Sequence, residues 1–351
     1  MGYLGRRIGL SQDTADRGGG GGSEGGGILD LFSNGYFQRE GNITNAPGVR
    51  LSGMTASGGI INDYTSGSNV YRAHVFTSSG TFDVSAIGDF PANVEYLVVA
   101  GGGGGGGNGP PGDGGGGGGA GGLRTNLSGH PLAGSAFPVS TSPGSYTVTI
   151  GAGGMSEPPG FGPGGKTILA GQRGNPSVFG PITSTGGGAG GAVYSSYGQS
   201  GGSGGGAGIK YSSDGSLQPA STGTGNTPPV SPSQGNPGGG SRHSPGSAAA
   251  TGGGGGAGGA GGDAPSTNTA GVGGIGSQVL IAGPPSATQP VGTPGPSSGG
   301  GYFAGGGGGM KTNPGSGGVG GSGGGGQGAA NTGNRTAGTY ATGGGGGASR
   351  N

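Results

Sequence analysis

The sequence has no cysteine and no tryptophan, and charged residues make up only 8% of it. Because cysteine is absent, disulfides cannot compensate for a small core. Only 27% of the residues are hydrophobic, whereas ordinary globular domains have about 45–50% apolar residues. The 14 basic and 13 acidic residues nearly cancel and are well scattered. No nucleic-acid partner is therefore expected.

Long hydrophobic runs are also missing. No segment approaches the 18 apolar residues that would predict a membrane-spanning helix. Arg6 and Arg7 resemble the charged start of a signal peptide, but the apolar stretch that should follow ends at Leu10. The sequence therefore predicts neither a membrane anchor nor a signal peptide.

Glycine is what the chain has in excess, at 111 of 351 residues. Six uninterrupted runs contain five or more glycines: 18–22, 101–107, 114–119, 252–256, 305–309 and 343–347. Such runs have no side chains to bury, so each is either a disordered spacer or a structure built from backbone alone. Collagen is excluded because it needs glycine at every third position.

The punctuation of these runs favours an ordered structure. They are similar in length and are preceded by small residues, as in Ala304 and Thr342. An extended helix with three residues per turn leaves its N–H and C=O groups free for sideways hydrogen bonds. We therefore predict a packed array of polyglycine II helices. Alanine and serine interruptions, as in 252–262, are expected to face outward.

Residues before and between the runs predict short strands. The predicted strands are 70–77, 81–85, 94–100, 146–150 and 177–183, and Ser78-Ser79-Gly80 predicts a hairpin between the first two. The predicted fold class is mainly β and irregular, with little or no α-helix: a small antiparallel β-sandwich followed by the polyglycine array. The predicted domains are a docking segment and clamp (1–45), a β-domain (46–100) and the array with its display loops (101–351).

No catalytic or metal-binding arrangement stands out. Residues 160–167 (GFGPGGKT) match the phosphate-binding loop pattern. That loop needs a strand directly before it and a helix after it. Neither is predicted here, so the match is interpreted as a surface loop. His74, His130 and His243 are far apart, without carboxylates at ligand spacing. We predict a protein that is not an enzyme and has no cofactor.

Aromatic residues beside the glycine runs allow two interpretations. They either cap the array and shield its edge, or form a binding surface, since aromatic faces offer large rigid contacts. The six residues are Tyr194, Tyr197, Tyr211, Tyr302, Phe303 and Tyr340. Among them Tyr194, Tyr197 and Tyr211 lie in the longest loop region and are the predicted receptor contacts.

Several phrases of the sequence resemble the glycine-rich domain of phage tail fibres and their tip adhesins. They are 94–107 (VEYLVVAGGGGGGG), 146–154 (YTVTIGAGG), 177–190, 301–309 and 338–347. The resemblance covers about 70–351. The opening MGYLGRRIGLSQ is similar to virion proteins from phages of marine bacteria. This implies that the N-terminus docks onto other virion proteins, through Tyr3, Leu4, Arg6, Arg7, Ile8 and Leu10.

The resemblance implies a tail fibre or fibre-tip protein that displays loops for host-surface attachment, located in the virion. Its expected partners are a host cell-surface glycan or outer-membrane protein. Fibres are commonly homotrimers, yet a polyglycine array can also be satisfied within one chain. Two alternatives stay open. One is a head or tail decoration or spacer protein without receptor binding, and the other is a glycine-rich secreted surface protein.

Overall fold

The structure is a computed structural model that describes residues 52–66, 69–107, 114–156, 171–192, 197–211, 217–244, 249–283, 291–296, 299–311, 315–330 and 335–349. The chain divides into one unit of Met1–Thr55 with Ala86–Ala92, and a larger one of Ala56–Ser85 with Asn93–Asn351. In the smaller unit, the backbone N–H and hydroxyl of Ser52 donate to the Asp89 carboxylate. The predicted docking residues and clamp lie outside the described residues.

Short strands are the regular secondary structure of the described residues, which include no helix. They are β1 Thr55–Ser57, β2 Ile60–Ser66, β3 Asn69–Val75, β4 Gly80–Ala86, β5 Asn93–Val94, β6 Leu97–Val99, β7 Leu123–Thr125, β8 Phe137–Pro138, β9 Ser145–Thr149, β10 Ser177–Phe179, β11 Ile182–Ser184, β12 Ile209–Tyr211, β13 Leu217–Pro219, β14 Arg242–His243, β15 Ala249–Ala250, β16 Ser277–Gln278 and β17 Tyr302–Phe303. The predicted fold class, mainly β and irregular, is confirmed.

One sheet has five strands in the order β1-β4-β9-β10-β11, and the other strands pair two by two. Along β4, Phe82 and Val84 are buried while Thr81 is exposed, as expected where side chains alternate between two faces. The ring of Phe137 packs edge to face on Phe179 and Tyr146, at centroid distances of 5.1 and 5.6 Å. This aromatic cluster is an ordinary core of small size.

The predicted hairpin between 70–77 and 81–85 is wrong. Strand β3 pairs with β2, whereas β4 pairs with β9 and belongs to the five-stranded sheet. The pairing with β9 places Phe82 opposite Tyr146, on the face that the aromatic cluster covers. The predicted strand 94–100 is two strands, β5 and β6, in different sheets, and 177–183 is a β-hairpin of β10 and β11.

Glycine-rich segments without strand pairing, some of which contain a reversal, form much of the described remainder of the larger unit, and we call them the glycine bundle. Its runs are 100–107, 114–122, 151–156, 171–175, 185–192, 198–208, 221–224, 235–240, 252–262, 271–276, 304–309, 316–330 and 335–349. Most glycines in these runs are buried. Their backbone hydrogen bonds join different runs, or the two arms of a run that contains a reversal, as from the Gly253 N–H to the Gly262 carbonyl.

Run 114–122 shows how these bonds are arranged. Its N–H groups donate to the carbonyls of three runs in turn. Those of Gly116, Gly119 and Gly122 donate to Gly191, Gly188 and Thr185. Those of Gly117 and Ala120 donate to Gly252 and Gly255, and those of Gly118 and Gly121 donate to Gly346 and Gly343. Its carbonyls accept from three further runs, through the N–H groups of 103 and 106, of 203 and 206, and of 307. The run therefore has six hydrogen-bonded neighbours, and residues three apart bond to the same neighbour.

Close approach of the runs explains why the interior positions are glycine. A Cβ added at Gly117 would overlap the carbonyl oxygen of Gly307, and one at Gly254 would overlap that of Gly118. Any side chain there would push neighbouring backbones apart. The bundle therefore has a hydrogen-bonded backbone network where an ordinary domain has packed side chains.

Alanine interrupts the interior runs at the edge of a small apolar cluster. Ala120, Ala257 and Ala304 are buried together with Leu123, Val279 and Phe303. The expectation that interruptions face outward is met by the exposed Ala260 but is wrong for Ala257, which is 4% exposed. The reason is that three runs end here against apolar side chains, where a methyl group fills space that backbone would leave empty.

Candidate binding surface

The glycine bundle has two different ends. Strands β6 and β7 adjoin the runs 100–107 and 114–122, and β9, β10 and β11 adjoin 151–156, 171–175 and 185–192 in the same way. We call this the sheet end. The chain enters the larger unit here, because β1 is a strand of the five-stranded sheet.

The opposite end is where the runs end away from the five-stranded sheet, and we call it the loop end. Run 100–107 leads away from β6 and run 114–122 leads back to β7, so Gly107 and Gly114 lie far from the five-stranded sheet. By the same argument the described turn 262–271 lies at this end, as do the described ends of the other runs and short hairpins: 156, 171, 192, 197, 211, 217, 244, 249, 311, 315, 330 and 335. Contacts between neighbouring runs at this end include the bond from Ile209 N–H to the Gly114 carbonyl, at 3.2 Å, and the bridge between Ala250 and Lys311.

The predicted receptor contacts come from segments at the loop end. Tyr197 starts a described segment there, with 48% of its side chain exposed. Tyr211 is the last residue of β12 and pairs with Leu217 of β13. Tyr194 lies outside the described residues. The two described positions, Tyr197 and Tyr211, therefore belong to the same end of the bundle.

The remaining aromatics beside the runs lie at the sheet end. Phe303 is 4% exposed and packs in the cluster with Ala304, so it caps the bundle as one interpretation predicted. Tyr302 exchanges backbone hydrogen bonds with Thr293. Tyr340 is 79% exposed, and its hydroxyl donates to the Thr77 carbonyl. An exposed tyrosine is thus present at each end.

Hydroxyl, amide and charged groups lie in and beside the described turn 262–271 at the loop end. In the turn after 262, the hydroxyls of Ser266 and Thr269 are 3.3 Å apart, and the Asn268 N–H donates to Ser266 Oγ. Asp263 accepts the Gly240 N–H at 2.6 Å, and Arg242 is exposed on β14. The sequence analysis missed this hydroxyl- and amide-bearing turn, whose signal is the polar stretch 263–270.

The three histidines lie in separate places. His74 contacts the Gly58 carbonyl through Nδ1. Both ring nitrogens of His243 are buried without a hydrogen-bond partner. A search of the described ranges finds no group of three histidine, aspartate or glutamate side chains that could hold a metal. The pattern match at 160–167 lies outside these ranges.

His130 is the one histidine beside a hydroxyl, that of Ser277, at 3.2 Å. Its Nδ1 accepts the Leu132 N–H at 3.0 Å, so the proton of the neutral ring is on Nε2, which donates to the Gln278 carbonyl at 3.1 Å. Burial lowers the pKa of His130, and the bond to Gln278 opposes this effect. Because Nε2 already holds a proton, it cannot take one from Ser277. The contact links the turn at His130 to strand β16 and does not activate a nucleophile.

The geometry defines a class of protein in which a backbone-bonded glycine bundle carries a five-stranded sheet at one end and turns and short hairpins at the other. The family model of the glycine-rich domain matches residues 77–351. The chain belongs to this glycine-rich domain family. Comparisons with curated proteins and with solved structures gave no match. Among the residues described, no helix is long and apolar enough to cross a membrane.

Proposed function

We propose that this protein is a phage virion structural protein, a tail fibre or fibre-tip protein, whose loop end attaches to the host surface. The observation that supports this most directly is the separation of the two ends of the bundle. The five-stranded sheet lies at one end, while the far ends of the runs, two short hairpins and the described turn 262–271 lie at the other. Loops held by a rigid framework are a common way to present a binding surface.

We further propose that the glycine runs are polyglycine II helices. The three-residue period of the hydrogen bonds and the six neighbours of run 114–122 support this, because that helix has three residues per turn and no internal hydrogen bonds. Such a bundle is stiff, since every run is bonded on several sides. It would hold the loops at a fixed distance from the sheets.

The partners proposed for the two ends differ. At the loop end the partner would be a host cell-surface glycan or outer-membrane protein, contacted by Tyr194, Tyr197 and Tyr211 together with the polar turn at 263–270. Residues 1–45 would dock onto virion proteins. Tyrosine supports both kinds of receptor, since it combines a flat apolar face with a hydroxyl. In this proposal the protein acts by binding and not by catalysis.

A spacer or decoration protein of the virion is the second candidate. It is favoured by the bundle itself, which would be rigid without any contribution from the loops. The two candidates differ in one respect only: whether the loop end contacts a receptor.

The test compares exposed tyrosines at the two ends. Phage particles would carry Tyr197→Ala with Tyr211→Ala, or Tyr340→Ala as the matched control at the sheet end. We expect the loop-end double variant to slow adsorption to host cells at least tenfold, and the control to adsorb like wild type. Equal adsorption of all three by intact particles would contradict receptor binding through these tyrosines and favour the spacer.

A further inference from the structure

Run 271–276 (GVGGIG) lies at the side of the bundle, with fewer neighbours than run 114–122. It bonds to three runs, and to one of them through both of its arms. Gly273 and Gly276 donate to Val319 and Ser322 of run 316–330. Gly271 and Gly274 donate to Thr251 and Gly254, at the first arm of run 252–262, and accept from Gly309 and Gly306 of run 304–309. The carbonyls of Val272 and Ile275 accept from Gly262 and Gly258, in the second arm of run 252–262. Among the described residues, these segments fill four of the six neighbour positions found around run 114–122, and two are empty. The run is therefore an edge of the bundle.

In this run, the residue type at each position depends on whether a neighbouring run leaves room for a Cβ. A Cβ at Gly271 or Gly274 would overlap the carbonyl oxygen of Gly262 or Gly259, and one at Gly273 would overlap that of Gly306. Val272 and Ile275 keep their side chains at positions that are 52% and 49% exposed, where the side chains border Gly262 and Gly259 on one side only. Glycine is thus kept where a Cβ would overlap a neighbouring run, and β-branched side chains occur where there is room for one.

The first arm of run 316–330, residues 316–322, adjoins run 271–276 and repeats this arrangement. A Cβ at Gly317 or Gly320 would overlap the carbonyl oxygen of Gly328 or Gly325. Val319 is not one of these crowded positions, and it is 63% exposed. Gly273 N–H donates to the Val319 carbonyl at 2.8 Å, so the two runs lie side by side. Together Val272, Ile275 and Val319 form one exposed aliphatic strip, which we call the lateral strip.

Two backbone N–H groups of run 271–276 could still donate hydrogen bonds to a further chain. In the described part of the chain, the N–H groups of Val272 and Ile275 have no acceptor. They are three residues apart, the spacing at which the runs bond to each other. A further glycine run, such as one from a second copy of this chain, could accept from both groups. Unpaired backbone at the edge of a sheet recruits other chains in the same way.

A docking surface is the other interpretation of exposed aliphatic side chains, but its size argues against it. Stable protein–protein interfaces use about 20–30 residues on each side. The lateral strip has three large side chains, separated by glycine. Burying them could not by itself hold a partner.

We propose that Val272, Ile275 and Val319 are stops that end the glycine bundle at this side. Their Cβ and methyl groups occupy the empty neighbour positions and keep a further run beyond hydrogen-bonding distance of the edge. The chain can therefore build its bundle without joining those of other copies along this face. This inference does not depend on what the loop end binds, and it is compatible with assembly through other faces.

Two triple variants of the full chain distinguish stops from a hydrophobic docking surface. The glycine variant (Val272→Gly, Ile275→Gly, Val319→Gly) removes every Cβ of the strip, and the matched alanine variant keeps each Cβ but removes most of the apolar area. Analytical ultracentrifugation over a hundredfold concentration range would compare both with wild type. We expect the glycine variant to self-associate at least tenfold more tightly, and the alanine variant to behave like wild type.

Hydrophobic docking predicts the reverse order, with wild type associating most and the glycine variant least. That order, or equal behaviour of all three proteins, would overturn the proposal. Far-UV circular dichroism and limited proteolysis would verify that each variant is folded. If the triple glycine variant unfolds, the pair Val272→Gly and Ile275→Gly is judged by the same criterion, since it exposes both unpaired N–H groups.

Discussion

A single methyl group in the interior of the glycine bundle should be strongly destabilising, and Gly117→Ala tests this. Gly117 lies in the run with six neighbours. The new Cβ would overlap the carbonyl oxygen of Gly307 and approach the N–H of Gly254. These two groups are themselves bonded, at 2.8 Å. Backbone atoms cannot change rotamer, so the runs have to move apart.

The expected cost follows from three effects. Overpacking costs about 1–3 kcal/mol in ordinary cores. Weakening two backbone hydrogen bonds, from Gly254 to Gly307 and from Gly307 to Gly118, adds about 0.5–1.5 kcal/mol each. The lower unfolded-state entropy of alanine offsets about 0.4–1 kcal/mol. We therefore expect a net loss of roughly 3 kcal/mol in the free energy of unfolding.

The matched control is Gly153→Ala, in an edge run of the same bundle. Gly153 is exposed, and the nearest atom to its added Cβ is the Gly102 carbonyl oxygen at an ordinary 3.6 Å. We expect this change to be neutral or to stabilise by about 0.4–1 kcal/mol. Urea denaturation of both variants measures the difference. If Gly117→Ala unfolds at the same urea concentration as Gly153→Ala, close packing of the runs is not what requires glycine.

Three smaller effects test other parts of the structure. Because the pKa of His130 is lowered, its contribution to stability is present above the unfolded-state value of about 6.5 and is lost as the pH falls; His130→Gln should therefore reduce the drop in melting temperature between pH 7.5 and 5. Gln234→Ala leaves the Thr185 N–H without its acceptor at 2.8 Å and should cost about 1–3 kcal/mol in urea denaturation. Arg72→Ala breaks an exposed ion pair with Asp63 and should cost under about 1 kcal/mol, measured in the same way.

The fold class could be predicted from the sequence because composition excluded the alternatives. With few hydrophobic residues and long glycine runs, only a backbone-bonded structure could be ordered. The strands also fell close to their predicted places, as with 146–150 and β9. Strand pairing could not be predicted: the turn after β3 has the composition of a hairpin, but burial of Phe82 requires β4 to pair with β9.

One sequence signal was not used: the period of side chains within a run, which indicates where that run lies in the bundle. Runs of pure glycine, such as 114–119, have neighbours on all sides, whereas 271–276 carries a side chain at every third position and lies at an edge. This period of three is visible in the sequence. Which runs become neighbours is not visible, because bonds between backbones are the same for every glycine. Ala257 shows the same limit, since its burial depends on a cluster contributed by distant segments.

The bonding of the bundle bears on how freely its loops can change. In an ordinary domain the core depends on particular side chains, and loop residues often contact them. Here the interior bonds join N–H and C=O groups that nearly every residue has, so the requirement on sequence is the absence of a Cβ at set positions. Connections at the loop end lie outside those positions. Replacing the tip of one hairpin, such as β12–β13, should therefore leave the bundle intact, whereas a single interior methyl group should not. This division between a strictly constrained bundle and connections outside that constraint is what the proposed attachment surface would require.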